Sequence, residues 1–305
     1  MGKKLLTIII ILMMLTGLSL LLYPTVSNYF LSLGYRQTIT EYRAGVGKLD
    51  NTTYQSLLDE ARAYNQRLAA TSPYLRDPTE EELAEYFSLL DPVGTGVMGY
   101  VEIPKINVSL PIYHGTEESV LQSGIGHLAG TSLPVGGAGT HTIISGHRGL
   151  TSSRLFTDID QLVIGDTFTL RTLNEVLTYE VDQIITILPS ELGQQRIEPD
   201  GDYCTLLTCT PYGINTHRLL VRGRRVATAG EPGQAPSTPT QQETVTTPAP
   251  ETGATVEENF VLVERAFHLL VGVGAFLAFL FVFLLLYWLR ARKTYQPRRL
   301  RDKKE

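Results

Sequence analysis

The sequence predicts a mainly β domain, a barrel or a sandwich, preceded by short helices and flanked by two transmembrane helices. Three observations carry this reading. Residues 5–22 and 266–289 form apolar runs of 18 and 24 residues without Asp, Glu, Lys or Arg, close to the ~20 that a helix needs to cross a bilayer core. Between residues 98 and 226, seven short runs rich in β-branched and aromatic residues are split by Gly, Pro and Asn turns. Residues 36–90 instead place Tyr54, Leu57, Leu58, Ala61, Tyr64 and Leu68 at helical spacing, with charged residues between them.

In chain order, residues 1–4 carry Lys3 and Lys4 and precede the first span, 5–22. A cleaved signal peptide has a shorter apolar core and a small-x-small site. Tyr23-Pro24-Thr25-Val26 offers no such site, so the span reads as an uncleaved signal anchor. Residues 23–97 form a helical region. Its second helix is expected from Glu80 to Leu90, because Glu80, Glu81 and Glu82 suit the positive end of a helix dipole. Pro73 and Pro78 make the stretch between the helices a loop. The β domain occupies 98–226. Residues 227–259 hold five Pro, eight Thr and five Glu with no basic or aromatic residue, a composition that buries no core and reads as a disordered stalk. The second span, 260–289, follows, and then a tail, 290–305, with eight basic and two acidic residues. His268 lies near the outer end of that span beside Glu264 and Arg265, and reads as an interfacial side chain.

The positive-inside rule places both termini in the cytoplasm and the segment between the spans outside. Of the net charge of −5, the two N-terminal lysines account for +2 and the tail for +6, which leaves −13 on the remainder. An acidic exterior argues against a nucleic-acid partner. The basic tail reads as an orientation signal in contact with anionic membrane lipid. Two cysteines make no disulfide framework and no Cys/His pair has zinc-ligand spacing, so neither metal nor cofactor is expected.

Cys204 and Cys209 lie on one predicted strand, five residues apart. They therefore face opposite sides and stand about 17 Å apart, beyond disulfide reach. One of them suits a buried core position. Cys209, at the strand end and one hairpin from Arg218, is a candidate nucleophile. A thiol nucleophile needs a proton donor for its leaving group and a group to hold an oxyanion. Five exterior histidines are available, His114, His127, His141, His147 and His217, and spacing does not choose among them.

The stretches THTIISGHRGL (140–150), TLLTC (205–209), TPYG (210–213) and NTHRLLVRGRR (215–225) strongly resemble the sortases, membrane-anchored cysteine transpeptidases of Gram-positive bacteria. GHLAGTSLPVGG (126–137) and IPKINVSLPIYHG (103–115) do so too, and the resemblance extends over about residues 36–226. It implies an eight-stranded sortase-type barrel. It also implies His147 as proton donor and acceptor, Cys209 as the nucleophile that carries the acyl thioester, and Arg218 as the oxyanion stabiliser.

A span after the β domain and an Asp-Pro loop before it resemble class C, the pilin-polymerising sortases. In that class an Asp-Pro-aromatic lid plugs the site, its aspartate meeting the arginine and its ring covering the cysteine. By position the lid maps onto Asp77, Pro78 and Thr79. Thr79 departs from the aromatic, with Tyr74 the ring nearby, and Asp91-Pro92-Val93 is a second Asp-Pro site. The implied partners are a Leu-Pro-x-Thr-Gly-like sorting motif on a pilin or surface protein and an acceptor lysine on the next pilin subunit. The rival readings are a sortase that anchors proteins to the peptidoglycan precursor, a plain cysteine peptidase, and an inactive stalked binding module. Two further motifs look like substrates. Ala249-Pro250-Glu251-Thr252-Gly253 is accounted for by stalk composition, and Leu133-Pro134-Val135-Gly136-Gly137 by a tight loop between strands.

Overall fold

A computed structural model describes residues 2–71 and 74–227. The second span, the stalk beyond residue 227, the basic tail, His268 and the 249–253 motif lie outside the described residues.

Helix α1 runs from Gly2 to Val46 and continues through Pro24, past the end of the apolar run. A proline in a helix interior removes a hydrogen bond and crowds the preceding turn. Here regular helix on both sides carries the chain across it. By length and composition α1 is able to cross a membrane, and its residues Leu6, Met14 and Leu21 are exposed. From residue 27 onward the helix buries Leu31, Tyr35, Ile39, Tyr42 and Val46, a stripe at three- and four-residue steps. Tyr42 Oη donates to the Met98 carbonyl at 3.0 Å and accepts the Leu173 N–H at 2.7 Å.

Helix α2 spans Asn51–Thr71 and buries Leu58, Ala61, Asn65 and Leu68. Asn65 grips one residue of the 128–139 loop from both sides: its Nδ2 donates to the Leu133 carbonyl and its Oδ1 accepts the Leu133 N–H. Leu133 is fully buried and Gly136 and Gly137 take positive φ, so the LPVGG stretch is the tight loop expected of it. Helix α3, Glu80–Ser88, opens with a capping box in which Thr79 and Glu82 satisfy each other's backbone N–H.

The β domain is a closed barrel of eight strands in the order β1-β2-β3-β4-β7-β8-β6-β5. The strands are β1 Val97–Ile103, β2 Val108–His114, β3 Ile125–His127, β4 Thr140–Gly146, β5 Thr167–Thr172, β6 Glu175–Ile187, β7 Asp202–Thr210 and β8 His217–Val226. Seven of them coincide with the seven runs read from the sequence. The eighth, β3, is three residues long and too short to display alternation. A short helix α4, Glu118–Ser123, precedes it. β4 pairs with β7 in parallel, and β7 with β8 in antiparallel. Inside the barrel Phe168 stacks on Tyr179 with centroids 5.7 Å apart. Gly223 faces this pair, where a Cβ would lie 2.7 Å from Phe168, so a side chain on β8 has no room there.

Helix α3 docks on the barrel through Tyr86, which is fully buried. Its Oη accepts the Gly115 N–H at 2.9 Å and donates to the His127 carbonyl at 3.0 Å, with His127 Nδ1 3.1 Å away. His127 is completely buried, and burial pushes its pKa down to about 4. The fold therefore holds it neutral. Below the ordinary histidine pKa of about 6.5 the unfolded chain binds a proton that the folded chain does not, so stability falls with pH until about pH 4. The expected loss across that window is about 3 kcal/mol. Thermal midpoints measured from pH 7 to pH 5 test this: the midpoint falls in the wild type and falls less in His127→Gln, and equal slopes would contradict the assignment.

Candidate active site

The barrel wall of β4, β7 and β8 sorts the two cysteines. Cys204 faces the interior beside Tyr179, is fully buried, and its thiol is pushed well above the ordinary range by burial and by Asp202. A thiol held protonated is a poor nucleophile. Cys209 is free and partly exposed, one residue from the end of β7. Five residues separate the two, so Cys209 lies on the opposite, outer face of the wall.

Register sets Cys209 between two other strands. Arg218 is its direct cross-strand partner on β8. On the other side Ser145 pairs with Leu207 in parallel, and β4 ends at Gly146, the residue before His147. Of the three residues named by the resemblance, Cys209 and Arg218 are thus cross-strand partners, and His147 directly follows the end of the neighbouring strand β4. Two side-chain hydrogen bonds straddle Cys209 and His147. Thr208 Oγ1 donates to the Gly146 carbonyl at 2.7 Å, just before Cys209 and His147, and Arg148 Nη1 donates to Thr210 Oγ1 at 3.3 Å, just after them. Arg148 is in turn ion-paired with Asp160. Together these bonds fix the alignment of the two strand ends.

The histidine choice that spacing left open is narrowed by hydrogen bonding. His114 faces the carbonyls of Leu89 and Gly96. His127 is bonded to Ser132 O, and His141 to Arg196 O and Thr205 Oγ1. His217 bonds Thr216 and is a strand neighbour of Arg218, so it points to the other face. His147 differs from all four: its Nε2 is buried without a hydrogen bond and lies 3.5 Å from Glu118 Oε1. Arg218 Nη1 donates to the backbone carbonyls of Asn215 and His217. Among the described residues no carboxylate is paired with it, so its charge is available to an anion.

Alternation places an apolar floor beside Cys209 and Arg218. Leu207 and Leu220 share the faces of Cys209 and Arg218, two residues away on each strand, and Ile143 lies on the matching face of β4. These three form a cluster, and Leu75 packs on it with Leu128, Ile185, Ile187 and Leu192. Leu75 comes from the stretch that carries the Asp-Pro motif. Its N–H donates to the Gln195 carbonyl at 2.9 Å, and Tyr74 bridges to Arg196. Asp77 is exposed and forms no ion pair with Arg218 among the described residues. Thr79, where the class C pattern has an aromatic, is the N-cap of α3. Arg76 adds a paired hydrogen bond to Glu82, whose carboxyl it holds well below the usual range. Sequence reasoning missed both Leu75 and Glu118, because each reaches the site across a contact between distant segments.

The chain is similar to known proteins in sequence and in fold. A family model described as "Sortase domain" matches residues 101–226. The crystal structure of sortase C1 from Streptococcus agalactiae superposes with a TM-score of 0.61 at 50% identity, covering 63% of this chain and 100% of that one. The structure of Clostridium perfringens sortase C with the C-terminal cell wall sorting motif gives 0.55 at 42% identity, covering 63% and 99%. Sortase D of Bacillus subtilis is 28% identical over 181 residues, 58% of this chain and 86% of that protein.

The contrast between the two thiols has a direct test. A thiol-alkylating reagent is expected to add once to the folded chain, at Cys209, and twice in denaturant. Peptide mapping that finds a native adduct on Cys204 would contradict the assignment of Cys204 to the barrel interior.

Proposed function

The chain belongs to the sortase family of cysteine transpeptidases, and from that membership we propose that it polymerises pilins. Its structural neighbours include class C sortases, among them sortase C of Streptococcus pneumoniae, whose crystal structure is described as giving insight into pilin substrate specificity. What supports the reading at the residue level is the pairing of Cys209 with Arg218, together with the bonds Thr208–Gly146 and Arg148–Thr210, which join the residues on either side of Cys209 to those on either side of His147.

In the proposed mechanism the Cys209 thiolate attacks the threonine carbonyl carbon of a Leu-Pro-x-Thr-Gly-like motif. The tetrahedral oxyanion is stabilised by the Arg218 guanidinium. As the Thr–Gly bond breaks, the His147 imidazolium passes its proton to the glycine amine, leaving a thioester on Cys209 and a neutral imidazole. A lysine amine of the next pilin attacks the thioester, forms an isopeptide bond, expels the thiolate and returns the proton to His147. No cofactor enters this sequence. The apolar floor of Ile143, Leu207 and Leu220 suits the aliphatic part of the motif.

The same proposal includes residues 74–79 as a lid whose seat on the groove is Leu75, with Asp77, Pro78 and Thr79 following it in the loop. It also includes two-pass anchoring: 5–22 and 260–289 in the membrane, and the helical and β regions outside with both termini in the cytoplasm. The acidic exterior and the basic tail support that orientation.

Two outcomes are expected. Cys209→Ala abolishes covalent pilin ladders on cells, and Arg218→Ala and His147→Ala lower acylation by about a hundredfold or more. Ladders that persist in Cys209→Ala would overturn the reading, while a product joined to cell-wall precursor instead of to pilin would favour the anchoring sortases. Leu75→Ala removes apolar contact from the seat and raises cleavage of a sorting-motif peptide by roughly five- to tenfold. An unchanged rate would show that Leu75 does not gate the groove.

A further inference from the structure

We propose that Glu118 is a positioning residue for His147: its carboxylate receives the Nε2 hydrogen of the ring and leaves Nδ1 to pass the proton to the leaving amine. The proposal rests on the reading of His147 as the acid of the reaction.

Three observations carry it. First, the topology puts helix α4 next to His147. Strand β3 begins at Ile125, two residues after the helix ends, and Ile125 pairs with Gly146, the residue before His147. Second, the approach is specific. Glu118 Oε1 stands 3.5 Å from Nε2 and is the one acidic contact to the ring among the described residues. That nitrogen is otherwise buried with no hydrogen bond, and a small closure of α4 onto the strand end completes one. Third, the carboxylate is itself held in place. One turn along the helix, Gln122 Nε2 donates to the same Glu118 Oε1. The arrangement is a relay, Gln122 to Glu118 to His147, that fixes which ring nitrogen bears the retained proton and which is free for the substrate.

The charges around the ring are otherwise cationic or neutralised. Arg148 on the same loop is answered by Asp160, Arg218 lies two strands away on β8, and Cys209 stands between them on β7. Glu117, the N-cap of α4, makes no side-chain capping bond. Glu118 is thus the acidic group that faces the ring. Its side chain is 71% exposed, so solvent screens the pair and the effect is modest.

The test uses the full chain in detergent and a fluorescence-quenched Leu-Pro-x-Thr-Gly peptide with an amine acceptor, assayed across the pH range. Glu118→Gln is expected to lower kcat about fivefold with KM unchanged. The pH–rate profile is expected to change shape on one limb and keep the other, since Glu118 acts through the ring and not on the nucleophile. Gln122→Ala gives a smaller change of the same kind. A uniform fall at all pH values, or a wild-type rate and profile in Glu118→Gln, would overturn the proposal. His147→Ala run in parallel separates the two layers. If His147→Ala is inactive and Glu118→Gln behaves as wild type, the positioning role alone fails. If His147→Ala remains active, the reading of His147 fails and the role of Glu118 with it.

Discussion

The site depends on one register, that of β7 between β4 and β8. Side chains alternate along a strand, so a slip of one residue moves every side chain to the opposite face. Such a slip would bury Cys209 in the barrel and expose Cys204. The register is held on both sides. Toward β8, Gly223 pairs with Cys204 and lies where the Phe168–Tyr179 stack leaves no space for a Cβ. A shift would drive the side chain of Arg222 or Arg224 into those rings. Toward β4, the buried bond from Thr208 to Gly146 and the outer bond from Arg148 to Thr210 lock the strand ends on either side of Cys209. A buried hydrogen bond left unmade costs about 1–3 kcal/mol, so losing the Thr208–Gly146 bond makes sliding unfavourable. The apolar floor follows from the same register, since Leu207 and Leu220 are cross-strand partners just as Cys209 and Arg218 are.

The helices serve this wall rather than forming a separate layer. Tyr42 ties α1 to β1 and to the turn after β5. Asn65 ties α2 to the loop between β3 and β4, and Tyr86 ties α3 to β3. The contacts of α2 and α3 converge on the segment from β3 to β4, whose far end delivers His147. Burial and backbone carbonyls absorb His114, His127 and His141 into this framework, which spends three of the five exterior histidines on structure. A histidine whose nitrogens are engaged by carbonyls is fixed in tautomer and poorly placed to shuttle protons.

Much of this was legible in the sequence because it follows short periods. Seven strands announced themselves by composition and turns, and five-residue spacing alone put Cys204 and Cys209 on opposite faces. The rest required contacts that no local period encodes. Strand β3 is three residues long. The identity of the unengaged histidine depended on carbonyls as remote as Arg196, which accepts from His141 across 55 residues of chain. The span of α1 past Pro24 reflects helix on both sides outweighing one local breaker. Glu118 reaches His147 only through the pairing of β3 with β4, and Leu75 reaches its seat only because β4, β7 and β8 assemble beneath it. Choosing His147 before the structure was known took the resemblance, not the spacing.

Thr79 shows how a departure from a family pattern acquires a physical reason. Its hydroxyl accepts the Glu82 N–H while the Glu82 carboxylate accepts the Thr79 N–H, and Arg76 grips the same carboxylate. An aromatic side chain at this position has no oxygen close enough to its own backbone to cap α3. The residue therefore starts the helix, and the apolar contact with the groove moves back along the loop to Leu75. Between these anchors Asp77 is exposed. Contacts of the segment include the partly buried Leu75, a bridge from Tyr74 to Arg196, the Arg76–Glu82 ion pair and the close approach of Arg76 and Pro78 to Gly130. An exposed ion pair contributes about 0–1 kcal/mol and a partly buried leucine about 1–2 kcal/mol. None of the bonds that set the register of the barrel wall beneath involves residues 74–79. The loop touches the wall through Leu75, whereas the pairing of β7 with β4 and β8 rests on bonds within the wall.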